Sequence, residues 1–195
     1  MFLVASISAV IGFTVQQLVR RQGALSEQLA ELALADALTQ LPNRRAWDHR
    51  LQAQILRANR RGAALCVAQL DLDHFKRFND ELGHTAGDDL LRACAAEWLR
   101  ALRGADFLAR HGGDEFVILL PDCTLDEALD VTERVRAATR AAQQCSIGVD
   151  EWVPGEDGAS LVARADTALY RAKASGRDQV GSDADGTAWA GLTAS

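Results

Sequence analysis

The sequence predicts an α+β fold: a ferredoxin-like βαββαβ core with a central, mostly antiparallel sheet, preceded by an N-terminal helix. Three observations carry that reading. Leu65 to Leu70 is an apolar run short enough for a buried strand. Phe107 to Arg110 and Phe116 to Leu120 flank His111-Gly112-Gly113 and read together as a hairpin. Helical periodicity fills the segments on either side of that hairpin, so strands and helices alternate as βαββαβ with additions. This order sets the first strand beside the hairpin and lays helices on one face of the antiparallel strands.

From the N-terminus, Met1 to Val19 carry no charge, include the apolar run Phe2 to Val15, and are followed at once by Arg20 and Arg21. At about 1.5 Å per helical residue the segment reaches nearly across a bilayer core. A secretory signal places positive charge before its apolar run rather than after it. Residues 1–19 therefore read as a membrane anchor, such as the last span of a truncated sensor. The arginine pair then places the downstream residues on the cytoplasmic side of the inner membrane. The alternative is a buried or interfacial helix, favoured by Ser6, Ser8, Gln16 and Gln17. Val15, Leu18, Gln22, Leu25, Leu29 and Leu32 recur in steps of three and four, so residues 20–35 read as a coiled-coil-like linker helix. Such a seam fits a parallel homodimer; a single amphipathic helix packed on its own domain is the alternative.

Asp36 to Arg45 interrupt the periodicity with Pro42 and lead into a globular domain over residues 36–180. The helical pattern resumes over Trp47 to Arg60. After the first strand, a helix from about His84 to Leu102 puts Leu90, Leu91, Cys94, Trp98 and Leu102 on one side. Past the hairpin, Leu125 to Ala142 reads as a helix, Cys145 to Val149 as a strand and Leu161 to Ala174 as a helix. Residues 181–195 are small and polar apart from Trp189 and Leu192 and are expected to be a disordered tail.

Composition narrows the function classes. A length of 195 residues suits one domain with an appendage, and 48% hydrophobic residues is enough to bury a core. The net charge of −6 argues against a general nucleic-acid binder, because no basic excess exists to neutralise phosphates. Any phosphate ligand must be held locally. Cys66, Cys94, Cys123 and Cys145 are far apart and form no CxxC pair, which indicates reduced, mostly buried thiols rather than a zinc site or a disulfide framework.

The chemistry gathers at one sheet end. Asp71 ends the first strand, and Asp114 with Glu115 sits in the turn of the neighbouring hairpin, so three carboxylates from distant positions meet there. Crowded carboxylates repel unless a cation joins them. Hard oxygen ligands of this kind suit Mg²⁺ or Mn²⁺, which in turn hold phosphate oxygens, and two ions about 3.5–4 Å apart clamp an in-line displacement. Gly112 and Gly113 permit positive φ and leave room for a ligand against the backbone.

These residues carry a resemblance. Arg110-His111-Gly112-Gly113-Asp114-Glu115-Phe116 resembles the signature of GGDEF-domain diguanylate cyclases. So, in order and spacing, do Asp71 to Asp80, Gly83-His84-Thr85-Ala86-Gly87-Asp88, Ser146-Ile147-Gly148-Val149, and Ala165-Asp166 through Lys173-Ala174-Ser175-Gly176-Arg177. With Asp36 to Arg45 as the family's lead-in, the match covers about residues 36 to 180. The resemblance implies a GGDEF, nucleotide cyclase-like fold and condensation of two GTP into cyclic di-GMP with release of two pyrophosphates. Each site holds one GTP, so two domains must face each other.

By motif match, Asp71, the backbone carbonyl of Leu72 and Asp114 would bind Mg²⁺, with Glu115 completing the acidic set. Asp114 or Glu115 would assist deprotonation of the 3′-hydroxyl, a choice the sequence leaves open. Asn79 and Asp88 would read guanine and His84 would line that pocket; a carboxylate accepts from guanine's ring NH and amino group, which adenine does not offer in that arrangement. Asp73 is expected not to bind metal but to cap the helix opening at His74-Phe75-Lys76, whose amides, with Phe75 and Lys76, would meet the triphosphate. Lys173 and Arg177, four apart at the end of the last helix, fit the same role. Arg103-Gly104-Ala105-Asp106 resembles the family's RxxD inhibitory site for the product, and Arg134 matches its additional arginine.

Two departures stand out. The link from Ala142 to Cys145 is short, so an edge hairpin is expected to be missing, and Asp178 follows Gly176-Arg177 where an Asn is more usual. Against the active cyclase stand a noncatalytic GTP or cyclic di-GMP receptor, disfavoured by the complete acidic set, and a cyclase that also accepts ATP, disfavoured by Asp88.

Overall fold

A computed structural model of the chain describes residues 34–139 and 143–183. The chain divides into two units, Met1–Leu34 and Ala35–Ser195, and the second carries the fold. The anchor expected over residues 1–19, the linker helix up to residue 33 and the tail from residue 184 lie outside the described residues. Among the described residues no helix is long and apolar enough to cross a membrane.

The lead-in folds as a turn. The Asp36 carboxylate accepts from the Thr39 amide at 2.8 Å and its hydroxyl at 2.7 Å, and Ala35 bridges to Pro42. Helix α1, Arg44–Arg61, then begins at an N-cap, Asn43, whose side chain accepts from the Ala46 amide. It ends at Gly62 in the left-handed conformation, the usual glycine C-cap.

Strand β1, Leu65–Leu72, runs down the middle of a five-stranded sheet. Helices α2, Phe75–Leu82, and α3, His84–Ala101, follow it, separated by Gly83 at φ +86°. Next come the hairpin strands β2, Phe107–Gly112, and β3, Glu115–Pro121, then α4, Leu125–Thr139, and β4, Cys145–Glu151. Helix α5, Gly158–Ala174, leads to β5, Val180–Ser182. The strand order is β2-β3-β1-β4-β5, with β1 antiparallel to both β3 and β4, which is the ferredoxin-like arrangement with the first strand beside the hairpin. Among the described residues no hairpin intervenes between α4 and β4.

The sequence placed helices on one face only, and the structure corrects this. Along β1, Cys66, Ala68, Leu70 and Leu72 enter one core with α3 and α4 residues such as Leu91, Trp98 and Val135. The alternate residues Leu65 and Val67 enter a second core with Trp47, Leu51, Leu161 and Ala165 of α1 and α5. Successive strand residues point to opposite faces, so both faces are covered, which is why β1 is an apolar run without alternation. Helix α5 lies directly on β4: a side chain at Gly148 would meet the Leu169 amide nitrogen at 2.1 Å. Trp98 anchors the other core, edge-on to Phe116 at 4.8 Å and donating to Thr139 Oγ1 at 2.5 Å. All four cysteines are buried and unbridged, and burial pushes Cys94 up to about 11 and Cys145 to about 12.

The expected end of order at Val180 is also corrected. Gly181 and Ser182 continue β5, pairing parallel to β4 with Gly148 opposite Gly181. A three-residue strand held by backbone hydrogen bonds needs no apolar pattern, so composition gave no sign of it.

Candidate active site

Asp71 lies opposite Glu115 of β3 and opposite Ser146 of β4, so register alone sets these side chains on one face of the sheet, the face covered by α5. Asp114 occupies the turn between β2 and β3, which Gly112 at φ +150° and Gly113 at φ +53° open. Lys173 in the last turn of α5 places its Nζ 2.7 Å from Asp71 Oδ2. Burial raises the Asp71 pKa; the Lys173 ammonium opposes this, and the neighbouring Asp114 and Asp73 carboxylates add to it. Glu115 is exposed at the start of β3 and Asp114 is half-buried.

Asp73 does not cap α2. The cap position is His74, at φ 59°, with no side chain bonded to the helix amides. The Asp73 side chain is instead fully buried under the end of α5. It accepts from Ser146 Oγ at 2.8 and 3.1 Å and from the Asp178 amide at 3.0 Å, with Arg177 Nε 3.9 Å away. A carboxylate two residues past Asp71 falls on the same face of the chain as Ser146, and that buried donor outcompetes the exposed helix start. The first turn of α2, with buried Phe75 and exposed Lys76, keeps its amides uncapped by any side chain.

Lys173 and Arg177 were expected on one helix face. Helix α5 stops at Ala174, and Arg177 stands beyond it in a turn at φ 63°. Both cations nevertheless face the strand end, Lys173 at Asp71 and Arg177 at Asp73.

On the other side, α2 and α3 bring Asn79 against Gly87, next to Asp88. The Asn79 Oδ1 is buried without a hydrogen-bond partner, and a side chain at Gly87 would lie 1.9 Å from it. His84 is exposed at the start of α3. At the far end of α3, the Asp106 carboxylate accepts from the Arg103 amide at 2.8 Å and lies 3.6 Å from its Nε. Arg103 Nη2 also contacts Cys123 Sγ at 3.4 Å, and Arg134 Nη2 reaches the Ala101 carbonyl at 3.5 Å. Arg103 and Asp106 are thus paired, and Arg134 of α4 reaches the last residue of α3, two positions before Arg103.

Among the described residues no three acidic, imidazole or thiol groups converge into a metal cage. Magnesium bound with substrate phosphates needs no such cage: it keeps several waters and takes one or two carboxylates. Asp71 and the neighbouring Asp114 are carboxylates of that kind, and the Lys173 ammonium 2.7 Å from Asp71 marks where positive charge is stabilised. The donor set fits the ion.

Residues 33–179 match the family described as "Diguanylate cyclase, GGDEF domain". The chain belongs to this GGDEF family. Among its relatives is the diguanylate cyclase DgcP of Pseudomonas aeruginosa, 45% identical over 79% of this chain and 24% of that protein. Another is the response regulator PleD of Caulobacter vibrioides, 37% identical over 77% of this chain and 36% of PleD. The chain therefore spans well under half the length of these curated relatives. Among solved structures, the GGDEF domain of Caulobacter crescentus DgcB in complex with c-di-GMP aligns with a TM-score of 0.74 at 36% identity, covering 76% of this chain and 95% of that one. Pseudomonas aeruginosa diguanylate cyclase SiaD, in complex with its activator SiaC, gives 0.74 at 40% identity over 88% of this chain and 69% of SiaD.

Within this GGDEF domain, sequence reasoning missed what holds the acidic turn. Arg110 donates from Nε and Nη2 to the Gly113 carbonyl at 3.0 and 2.7 Å and from Nη1 to Asp36 at 2.9 Å. It opens the signature motif, but only its distance from Asp36 in the chain, not its place in the motif, hides the link. His111 packs edge-on to Trp47 at 5.7 Å with a buried Nε2 that has no partner. Burial lowers its pKa, Arg44 adds to the lowering and Asp48 opposes it.

Proposed function

We propose that this chain is a diguanylate cyclase that condenses two GTP into cyclic di-GMP and two pyrophosphates. The observation that carries it is the meeting of Asp71, Asp114 and Glu115 at one sheet end, with Lys173 on Asp71 and Arg177 beside the adjacent Asp73. Asp71, the Leu72 carbonyl and Asp114 would hold Mg²⁺ or Mn²⁺, which when bound neutralises the triphosphate and the departing pyrophosphate. Phe75 and Lys76 at the start of α2, with Lys173 and Arg177, receive the phosphates. Asn79 and Asp88 read guanine, with His84 at the rim.

Each 3′-oxygen attacks the α-phosphorus of the other nucleotide; the P–O bond to pyrophosphate breaks, and the hydroxyl proton passes to a carboxylate. Glu115, exposed where Asp114 is half-buried beside Asp71, takes the proton. Two nucleotides attacking each other require two such sites face to face, so the working unit is a homodimer, brought together by the heptad helix before Asp36. Residues 1–19 anchor it in the inner membrane with the catalytic domain in the cytoplasm. Arg103, Asp106 and Arg134 form the inhibitory site for the product, with bidentate arginine contacts as its mechanism.

Incubating the full-length chain with GTP and Mg²⁺ while following pyrophosphate and cyclic dinucleotide tests the reading. Glu115→Gln should lower the rate by about a hundredfold or more, the usual contribution of a general base. Product formation by the wild type no faster than by Glu115→Gln would refute the enzyme and leave a nucleotide receptor.

A further inference from the structure

Arg177 lies in a turn whose three consecutive residues, Gly176, Arg177 and Asp178, have φ of +120, +63 and +45°. Glycine adopts such values readily, whereas side chains with a Cβ do so only where the surroundings over-determine the backbone. Here the surroundings are specific. The Asp178 amide donates to the buried Asp73 carboxylate at 3.0 Å, and that carboxylate is itself held by Ser146. The Asp178 carbonyl accepts from Arg136 Nη1 at 3.2 Å, and its Oδ1 accepts from the same nitrogen at 2.5 Å. Gln144 Nε2 reaches Asp178 Oδ2 at 3.3 Å.

Arg136 comes from α4, on the opposite side of the sheet from α5, and only 7% of its side chain is exposed. Glu133 orients it, accepting from Nε at 2.8 Å and also from Nη2. Hydrogen bonds to Glu133 and to Asp178 raise its pKa further, so the charge is permanent. Four of the five guanidinium N–H donors are taken by Glu133 and Asp178 and the side chain is buried, so Arg136 is engaged within the fold rather than presented to a nucleotide. Beyond Glu133 of its own helix, its hydrogen bonds reach Asp178, the immediate neighbour of Arg177.

We propose that Arg136 is a positioning residue for nucleotide binding: by clamping Asp178 it holds the Gly176–Asp178 turn in its left-handed form and so fixes where Arg177 presents its guanidinium to the phosphates. This rests on the reading of Arg177 as a phosphate contact. It also accounts for an acidic residue after Gly176-Arg177, since Asp178 meets a permanent buried cation and can retain a comparable acceptor only as Asn.

The test is binding of the α,β-methylene analogue of GTP with Mg²⁺ to the full-length chain, by calorimetry. Arg177→Ala and Arg136→Gln should each weaken binding about tenfold, the loss of one charge-assisted contact, and the double variant should bind no more weakly than either. Asp178→Ala should match Arg136→Gln, whereas Asp178→Asn, which keeps an acceptor and tolerates the left-handed backbone, should bind as the wild type does. Asp178→Ala carries the test if Arg136→Gln does not fold. If Arg177→Ala leaves affinity unchanged, the phosphate reading of Arg177 falls and the clamp with it. If Arg177→Ala weakens binding while Arg136→Gln and Asp178→Ala only lower the melting temperature, or if the losses add in the double variant, positioning is refuted and the phosphate reading stands.

Discussion

Gly87 offers the sharpest mutational test of base recognition. A methyl group there would lie 1.9 Å from Asn79 Oδ1, 2.9 Å from its Cγ and 3.2 Å from Phe75 Cζ. Contacts below 3 Å do not occur, so in Gly87→Ala the Asn79 amide must retreat by about 1 Å while Phe75, itself buried, leaves little room. Overpacking of this kind costs about 1–3 kcal/mol of stability. Moving the amide off the hydrogen bond to guanine proposed for it would cost a further ~1 kcal/mol in binding, about fivefold in KM for GTP. The assay is KM and kcat for GTP beside thermal melting, for Gly87→Ala, Asn79→Ala and the double variant. Because truncating Asn79 removes the clash, the double variant should melt above Gly87→Ala while its KM stays as high as that of Asn79→Ala. An unchanged KM in Gly87→Ala, or a double variant destabilised by the sum of the singles, would refute the steric coupling.

Arg103→Ala, by removing the guanidinium beside Asp106, should relieve inhibition by added cyclic di-GMP at least tenfold and leave the initial rate unchanged; inhibition constants measured across product concentrations decide it, and unaltered inhibition would sink the assignment. His111, held neutral by burial against Trp47, has a folded pKa below the usual 6.5. The unfolded chain then binds more protons, so stability falls as pH drops below about 6.5 and is fully present above it. Urea midpoints between pH 7.5 and 5.5 should slope less for His111→Phe, which keeps the ring contact without the titration; equal slopes would exclude His111 as the cause.

How much was legible depended on whether the signal was local. The strand at Leu65, the hairpin around Gly112-Gly113 and the helix over His84 to Leu102 stand where periodicity and turn chemistry placed them. The same holds for the meeting of Asp71 with Asp114 and Glu115, since the strand order requires only that β1 pair with β3. Misread were features decided by partners far away in the chain. Asp73 looks like a cap until Ser146 and the Asp178 amide are brought to it, and Arg177 looks helical until the chain leaves α5 after Ala174 and turns at Gly176. The unbroken apolar run of β1 does signal covering on both faces, since a strand covered on one side alternates, but nothing local says which helices supply each layer, α1 and α5 or α3 and α4.

By itself, then, the sequence determined the kinds of element, their order and the residue types gathered at the acidic sheet end, because each depends on interactions within a few residues or on one strand pairing. Only the tertiary structure decided which polar groups satisfy one another: Lys173 on Asp71, Arg110 between Asp36 and Gly113, Arg136 on Asp178. A buried charge takes whichever partner packing delivers to it, and that delivery is a property of the closed fold rather than of any stretch of chain.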